Sequence, residues 1–159
     1  MTQREEEFPL ETWQLENGSM LGAKLIRVDA QGGRLCHHQL LALRIGDKED
    51  FMLGTTTWVS VMRTGQLCVG MRYLPGAVLA VTLRISGENA DALEKSAPGF
   101  LLQAVPELKS PPSLIIPRDW FKPERLVDIQ HQNGDSQQAK MGFSVERGVD
   151  YERISFTLM

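Results

Sequence analysis

Two cysteines, three histidines and no apolar run of bilayer length set the first limits on this chain of 159 residues. Cys36 and Cys68 lie far apart, with no C-x-x-C or histidine-rich spacing, so neither a disulfide framework nor a zinc site is indicated. Cys68 falls in an apolar stretch and reads as a buried free thiol. No segment approaches the roughly 20 apolar residues that span a bilayer, and the start, MTQREEE, lacks an apolar signal segment. The expectation is a cytoplasmic protein without a membrane span. Grouped cations are missing too. The 17 Lys and Arg are scattered singly against 20 Asp and Glu, for a net charge of -3 and a pI near 5.6. Neutralising a nucleic-acid backbone needs clustered Lys and Arg, so a polymer-binding surface is disfavoured.

The signatures of catalysis are equally scarce. No serine stands in a G-x-S-x-G setting, and no glycine-rich loop precedes a helix as a phosphate-binding loop must. His37 and His38 are adjacent, so on a regular strand they point to opposite faces and cannot share a metal, and His131 is remote from both. Asp47, Glu49 and Asp50 lack the glycine and terminal glutamate of a calcium loop and read as a solvated hairpin tip. Asp119, Glu124, Asp128, Glu146, Asp150 and Glu152 include no pair that spacing alone places across a cleft. The chain is expected to be no enzyme, with no catalytic residue, metal or resident cofactor.

What is present is β-strand pattern. A hydrophobic fraction of 42% and a charged fraction of 23% describe an ordinary globular composition, enough for one sizeable domain or two small ones. Short, branched, apolar runs separated by turn residues occur at 23–28, 40–45, 51–62, 66–74 and 78–85. Leu67, Val69, Met71 and Tyr73 alternate onto one face, as do Leu79, Val81, Leu83 and Ile85. Segment 87–95 is the one plausible short helix, with Asn89 as its N-cap. Pro98, Pro106, Pro111 and Pro112 mark a boundary, with room for a strand at 100–105. Strands resume at 113–116, 125–131, 137–145 and 153–158, and Asn133-Gly134 signals a type I′ hairpin turn. Regular strand spacing points to barrels or sandwiches. The fold class is therefore all-β with at most one short helix: a small antiparallel barrel over residues 1–95, then a second β-rich, barrel-like half over 96–159.

The most distinctive short pattern is N-x-S-x-x-G at Asn17, Ser19 and Gly22, at the mouth of a strand. Asn offers a carbonyl and an amide, Ser a hydroxyl, and Gly a close backbone approach, a set that can cradle a purine edge or a phosphate oxygen. The same residues also suit a turn with a self-bonded serine and a glycine at a barrel corner. The pattern continues with Leu21-Gly22-Ala23-Lys24-Leu25, then Thr57-Trp58-Val59, then Val69-Gly70-Met71-Arg72-Tyr73. In order and spacing this resembles the PilZ domains, small β-barrels that bind cyclic di-GMP.

The resemblance implies a cytoplasmic bacterial signalling module linked to motility, pili or exopolysaccharide, with Asn17, Ser19, Gly22 and Arg4 as candidate ligand residues. The family's R-x-x-x-R clamp is missing, however. Arg4 is the only cation before Asn17, in a stretch holding Glu5, Glu6, Glu7, Glu11 and Glu16. Permanently charged, bidentate donors are what such a clamp requires, and like charges repel the ligand. Arg27, Arg34, Arg44 or Arg72 would have to replace it. The expected function is a non-catalytic signalling or adaptor module acting through protein contacts, with cyclic di-GMP binding weak or lost. The alternatives are a dinucleotide receptor that borrows arginines from elsewhere, and a small β-barrel enzyme or carrier for an unrelated ligand. Trp120 and Phe121, between Pro117 and Pro123, suit either a protein-docking anchor or a cover for the second half. A homodimer through free sheet edges is a further expectation.

Overall fold

The computed structural model describes residues 11–19, 21–28, 35–44, 46, 51–86 and 96–159. Eleven strands carry the described chain, joined by turns and one 3-10 turn at Pro106–Leu108. The first five are β1 (Trp13–Gly18), β2 (Gly22–Arg27), β3 (Leu40–Leu43), β4 (Met52–Val61) and β5 (Leu67–Tyr73). They form an antiparallel sheet in the order β1-β2-β5-β4-β3. The remainder, β6 (Val78–Ile85), β7 (Ser96–Leu102), β8 (Ser113–Ile116), β9 (Leu126–His131), β10 (Ser136–Arg147) and β11 (Glu152–Leu158), close into a six-stranded barrel in the order β10-β11-β8-β7-β6-β9. Closure comes from pairing of β9 with both β6 and β10.

The barrel fills itself with alternate residues. Val81 and Leu83 from β6, Leu114 and Ile116 from β8, Val127 and Ile129 from β9, Ala139 and Met141 from β10, and Ile154 from β11 form one buried cluster. The period-two pattern at 78–85 thus holds for Val81, Leu83 and Ile85, whereas Leu79 remains exposed. β6 belongs to this barrel, so the change of sheet falls at the turn between Tyr73 and Val78. The closed barrel is the second unit in chain order. Among the described residues the N-terminal strands make an open sheet.

Register divides that sheet into two faces. Leu25, Val69 and Met71 are buried on the inner face with Ala23, Leu41, Leu43, Val59 and Tyr73 packed around them. One residue away along each strand, the outer face carries Leu53, Thr55, Arg72 and Leu74 at one end and Lys24, Gly70 and Trp58 at the other. The barrel sits on the first end. Leu53 and Leu74 share a buried cluster with Leu102, Ile115 and Tyr151 of the barrel, flanked by Phe51 and Phe100 in an edge-to-face contact. Polar contacts reinforce it. The Val149 N–H donates to the His38 carbonyl, and the Leu40 N–H donates to the Asp150 carboxylate.

Two further expectations change. Trp13–Gly18, ahead of the first expected strand at 23–28, is itself a strand, because it is an edge whose polar residues face water while its backbone pairs with β2. The Asn133-Gly134 turn is a three-residue loop, Gln132–Gly134, with His131 bonded to Asp135. Only Gly134 of that pair has positive φ, so the turn is not type I′. The helix expected at 87–95 lies outside the described residues. Cys68 is a buried free thiol, as expected.

Leu83 is fully buried in the barrel cluster. Leu83→Ala is expected to cost about 2–5 kcal/mol in a urea unfolding titration, against a near-neutral Leu79→Ala.

Candidate functional site

The three segments that carry the PilZ-like resemblance are neighbouring strands, β2, β5 and β4. One cross-strand row runs Asn17–Lys24–Gly70–Trp58 over four strands. Two of its members are set by bulges, one in β1 between Leu15 and Asn17 and one in β4 between Thr56 and Trp58. A bulge inserts a residue and re-aims its strand, which is why bulges recur beside functional sites. A Cβ on Gly70 would lie 2.1 Å from the Trp58 indole nitrogen. The missing side chain therefore lets the Trp58 ring lie across the sheet while staying 42% exposed. Around this row is a shallow groove of ≈ 270 Å³ lined by Asn17, Ser19, Gly22, Lys24, Trp58 and their neighbours.

The motif residues themselves are largely committed to structure. The Ser19 hydroxyl accepts a bond from the Leu21 N–H at 3.2 Å, and the Ser19 N–H donates to the Gly22 carbonyl at 2.9 Å, which together build the β1–β2 turn. Gly22 faces Arg72 in register, and a Cβ there would lie 2.2 Å from the Met71 carbonyl oxygen. Asn17 lines the groove from β1. Arg4 lies outside the described residues. Lys24 is the sole cation among the described lining residues, and it faces Glu16 at 3.6 Å in a half-exposed pair.

Beside the groove, at the border with the barrel, stands a polar hub that the sequence did not single out. Glu146 accepts from Arg72 Nη2 at 2.6 Å and from the Tyr151 hydroxyl at 2.8 Å, and its second oxygen lies 3.6 Å from Arg153. Two irregularities in the β10–β11 register, between Met141 and Ser144 and between Ser144 and Glu146, bend β10 where it leaves the barrel and turn Glu146 toward the sheet. Burial works to raise the Glu146 pKa. The bonds from Tyr151 and Arg72, with the charges of Arg72 and Arg153, outweigh it and hold the carboxyl below its ordinary value. Burial pushes the Tyr151 phenol up to about 12, and the adjacent carboxylate adds to the rise.

Trp120 and Phe121 are apart from this site. Both are half-buried against the barrel core, with the Arg125 guanidinium donating to the Trp120 carbonyl. Their side chains pack against the barrel cluster while staying partly exposed. His37 and His38 stack edge to face in an exposed turn. Among the described residues no helix is long and apolar enough to cross a membrane.

The hub has a pH signature. A carboxyl held below its ordinary value contributes stability that is fully present above that value, and the contribution is lost as pH falls through the folded-state pKa. Wild type is therefore expected to lose stability relative to Glu146→Gln between pH 5 and about pH 3, as read by urea midpoints. At the alkaline end Tyr151 ionises in the unfolded chain near 10 but in the folded chain near 12. Its contribution is present below pH 10 and lost as pH rises through that window, a loss that Tyr151→Phe should abolish.

Residues 81–159 match the family profile described as the FimW C-terminal beta-barrel domain. The matched stretch coincides with nearly all of the closed barrel, β6 to β11, and leaves the five-stranded sheet outside it. No curated protein and no solved structure matches the chain. The chain is thus similar, over its barrel, to the FimW C-terminal beta-barrel domain.

Proposed function

We propose that this chain is a non-catalytic signalling or adaptor module of the PilZ-like group, acting in the bacterial cytoplasm through protein contacts, with cyclic di-GMP binding weak or lost. The FimW-like barrel supports the group. The observation that carries the loss of dinucleotide binding is the charge of the groove at Asn17. Its one described cation is Lys24, already opposite Glu16, and Ser19 and Gly22 are engaged in the turn and in strand packing. A doubly anionic dinucleotide needs converging bidentate donors, which a single paired ammonium does not supply.

One observation favours the receptor alternative. Arg72 stands opposite Gly22, which lines the groove. Its guanidinium is bonded to Glu146, however, and points to the barrel contact.

Calorimetric titration with cyclic di-GMP at low salt separates the two. The adaptor reading expects no micromolar binding to wild type. Micromolar binding that disappears in the Asn17→Ala, Ser19→Ala double variant would reverse it.

A further inference from the structure

We infer that one mouth of the barrel, at the start of β8, is a binding site for a small uncharged molecule with an apolar body and one hydroxyl group. Its described lining comes from the barrel strands and their connections alone, so it is separate from the Asn17 groove and goes beyond the adaptor reading.

The place of the site follows from strand register. Residues two apart on a strand share a face, as do partners across a ladder. The rows that fill the lumen therefore continue from Val127 and Ile129 to His131 on β9, from Met141 and Ala139 to Gln137 on β10, and from Ile154 to Phe156 and Leu158 on β11. On β6 the row continues from Leu83 and Val81 to Leu79, which is opposite Leu101 of β7. All of them emerge at the end where β6, β8 and β10 begin and β7, β9 and β11 finish. Just past the other end of β8, Trp120 and Phe121 pack against the core cluster. No described side chain plays that part at this mouth. Leu79 stays 38% exposed and Leu158 52% exposed, although both stand on lumen rows. A cup of ≈ 610 Å³ opens there, walled by Leu101, Pro112, Phe156 and Leu158 among others. That volume is in the range of small-molecule sites, and the mouths of barrels are among the places where such sites form.

The class of ligand follows from the lining. Its described members include no Asp, Glu, Lys or Arg. A charged group carried into such a cup loses water and gains no counter-charge. His131 and Gln137 line the same cup and are bonded to each other, Nε2 to Oε1 at 3.2 Å. An amide oxygen only accepts, so the ring nitrogen donates. In the neutral ring this leaves Nδ1 as an acceptor, with the Gln137 amide nitrogen as a donor beside it. A hydroxyl gives one hydrogen bond and takes another at a single atom, which matches such a pair. A carboxylate only accepts and an ammonium only donates, so each uses half of it.

The test uses the full chain and octanol, followed by two-dimensional NMR of the His131, Phe156 and Leu158 signals. Saturable shifts at these residues are expected, with direct contacts between octanol protons and the Phe156 ring. Heptanol should bind about fourfold more weakly, the share of one buried methylene. Octanoate and octylammonium should each bind wild type more weakly than octanol. Gln137→Glu, at an exposed position, keeps the acceptor for His131 and removes the donor. It should weaken octanol by roughly two- to tenfold and strengthen octylammonium. Ala104→Trp, at an exposed position of the lining, should fill the cup and abolish the shifts, whereas Leu108→Ala, outside the lining, should leave them unchanged.

The proposal is overturned by an absence of saturable shifts, by octanoate or octylammonium binding wild type as tightly as octanol, or by equal octanol affinity in Gln137→Glu and Ala104→Trp. It is also overturned if the same signals follow protein concentration instead of octanol, which would put a second copy of the chain over the cup. None of these outcomes touches the adaptor reading, which falls to dinucleotide binding alone.

Discussion

The apolar contact between the sheet and the barrel governs what every other feature can do. Leu53 and Leu74 from β4 and the end of β5 meet Leu102, Ile115 and Tyr151, and this seals one end of the sheet's outer face. Among the described residues the inner face is packed around Leu25, Val69 and Met71, and the end of the outer face away from the barrel carries the part-exposed Trp58. The position of the barrel thus decides which row of the sheet becomes a surface. That row is Asn17–Lys24–Gly70–Trp58. The Glu146 hub lies on the border, tying Arg72 of the sheet to Tyr151, which is itself part of the apolar contact. Packing and charge are joined there through a single residue.

Much of this fold was legible as period-two alternation. Strands 78–85 and 113–116 coincide in the structure with β6 and β8, and the expected face of β5 is the inner face of the sheet. Closure was not legible, because it depends on pairing between β6 and β9 and between β9 and β10, and alternation within one strand carries no information about its neighbour. For the same reason β6 looked like the last strand of the first half. β1 escaped because an edge strand exposed on most of its length reads as polar loop, and its last residues, Glu16-Asn17-Gly18, have turn composition. Bulges are invisible in composition, yet those in β1, β4 and β10 aim Asn17, Trp58 and Glu146.

The candidate site was therefore half read. Asn17, Ser19 and Gly22 stand together as the motif implies, but Ser19 and Gly22 serve the turn and the close approach of β2 to β5. Trp58 was recognised as part of the pattern and not as a surface. The signal that could have found it was the glycine at 70 in an otherwise bulky strand, which marks a place where something large crosses the sheet. Arg72 was one of four arginines with nothing in their spacing to choose among them, and only strand register brings it beside Gly22. The FimW-like barrel and the PilZ-like pattern also fall on different units, the first on β6 to β11 and the second on β2, β4 and β5.

Differential scanning calorimetry of the full chain tests the contact between sheet and barrel most directly. If the contact of Leu53, Leu74, Leu102, Ile115 and Tyr151 makes sheet and barrel one cooperative body, a single transition is predicted, with equal calorimetric and van't Hoff enthalpies. Two separate transitions, or a calorimetric enthalpy well above the van't Hoff value, would contradict the account.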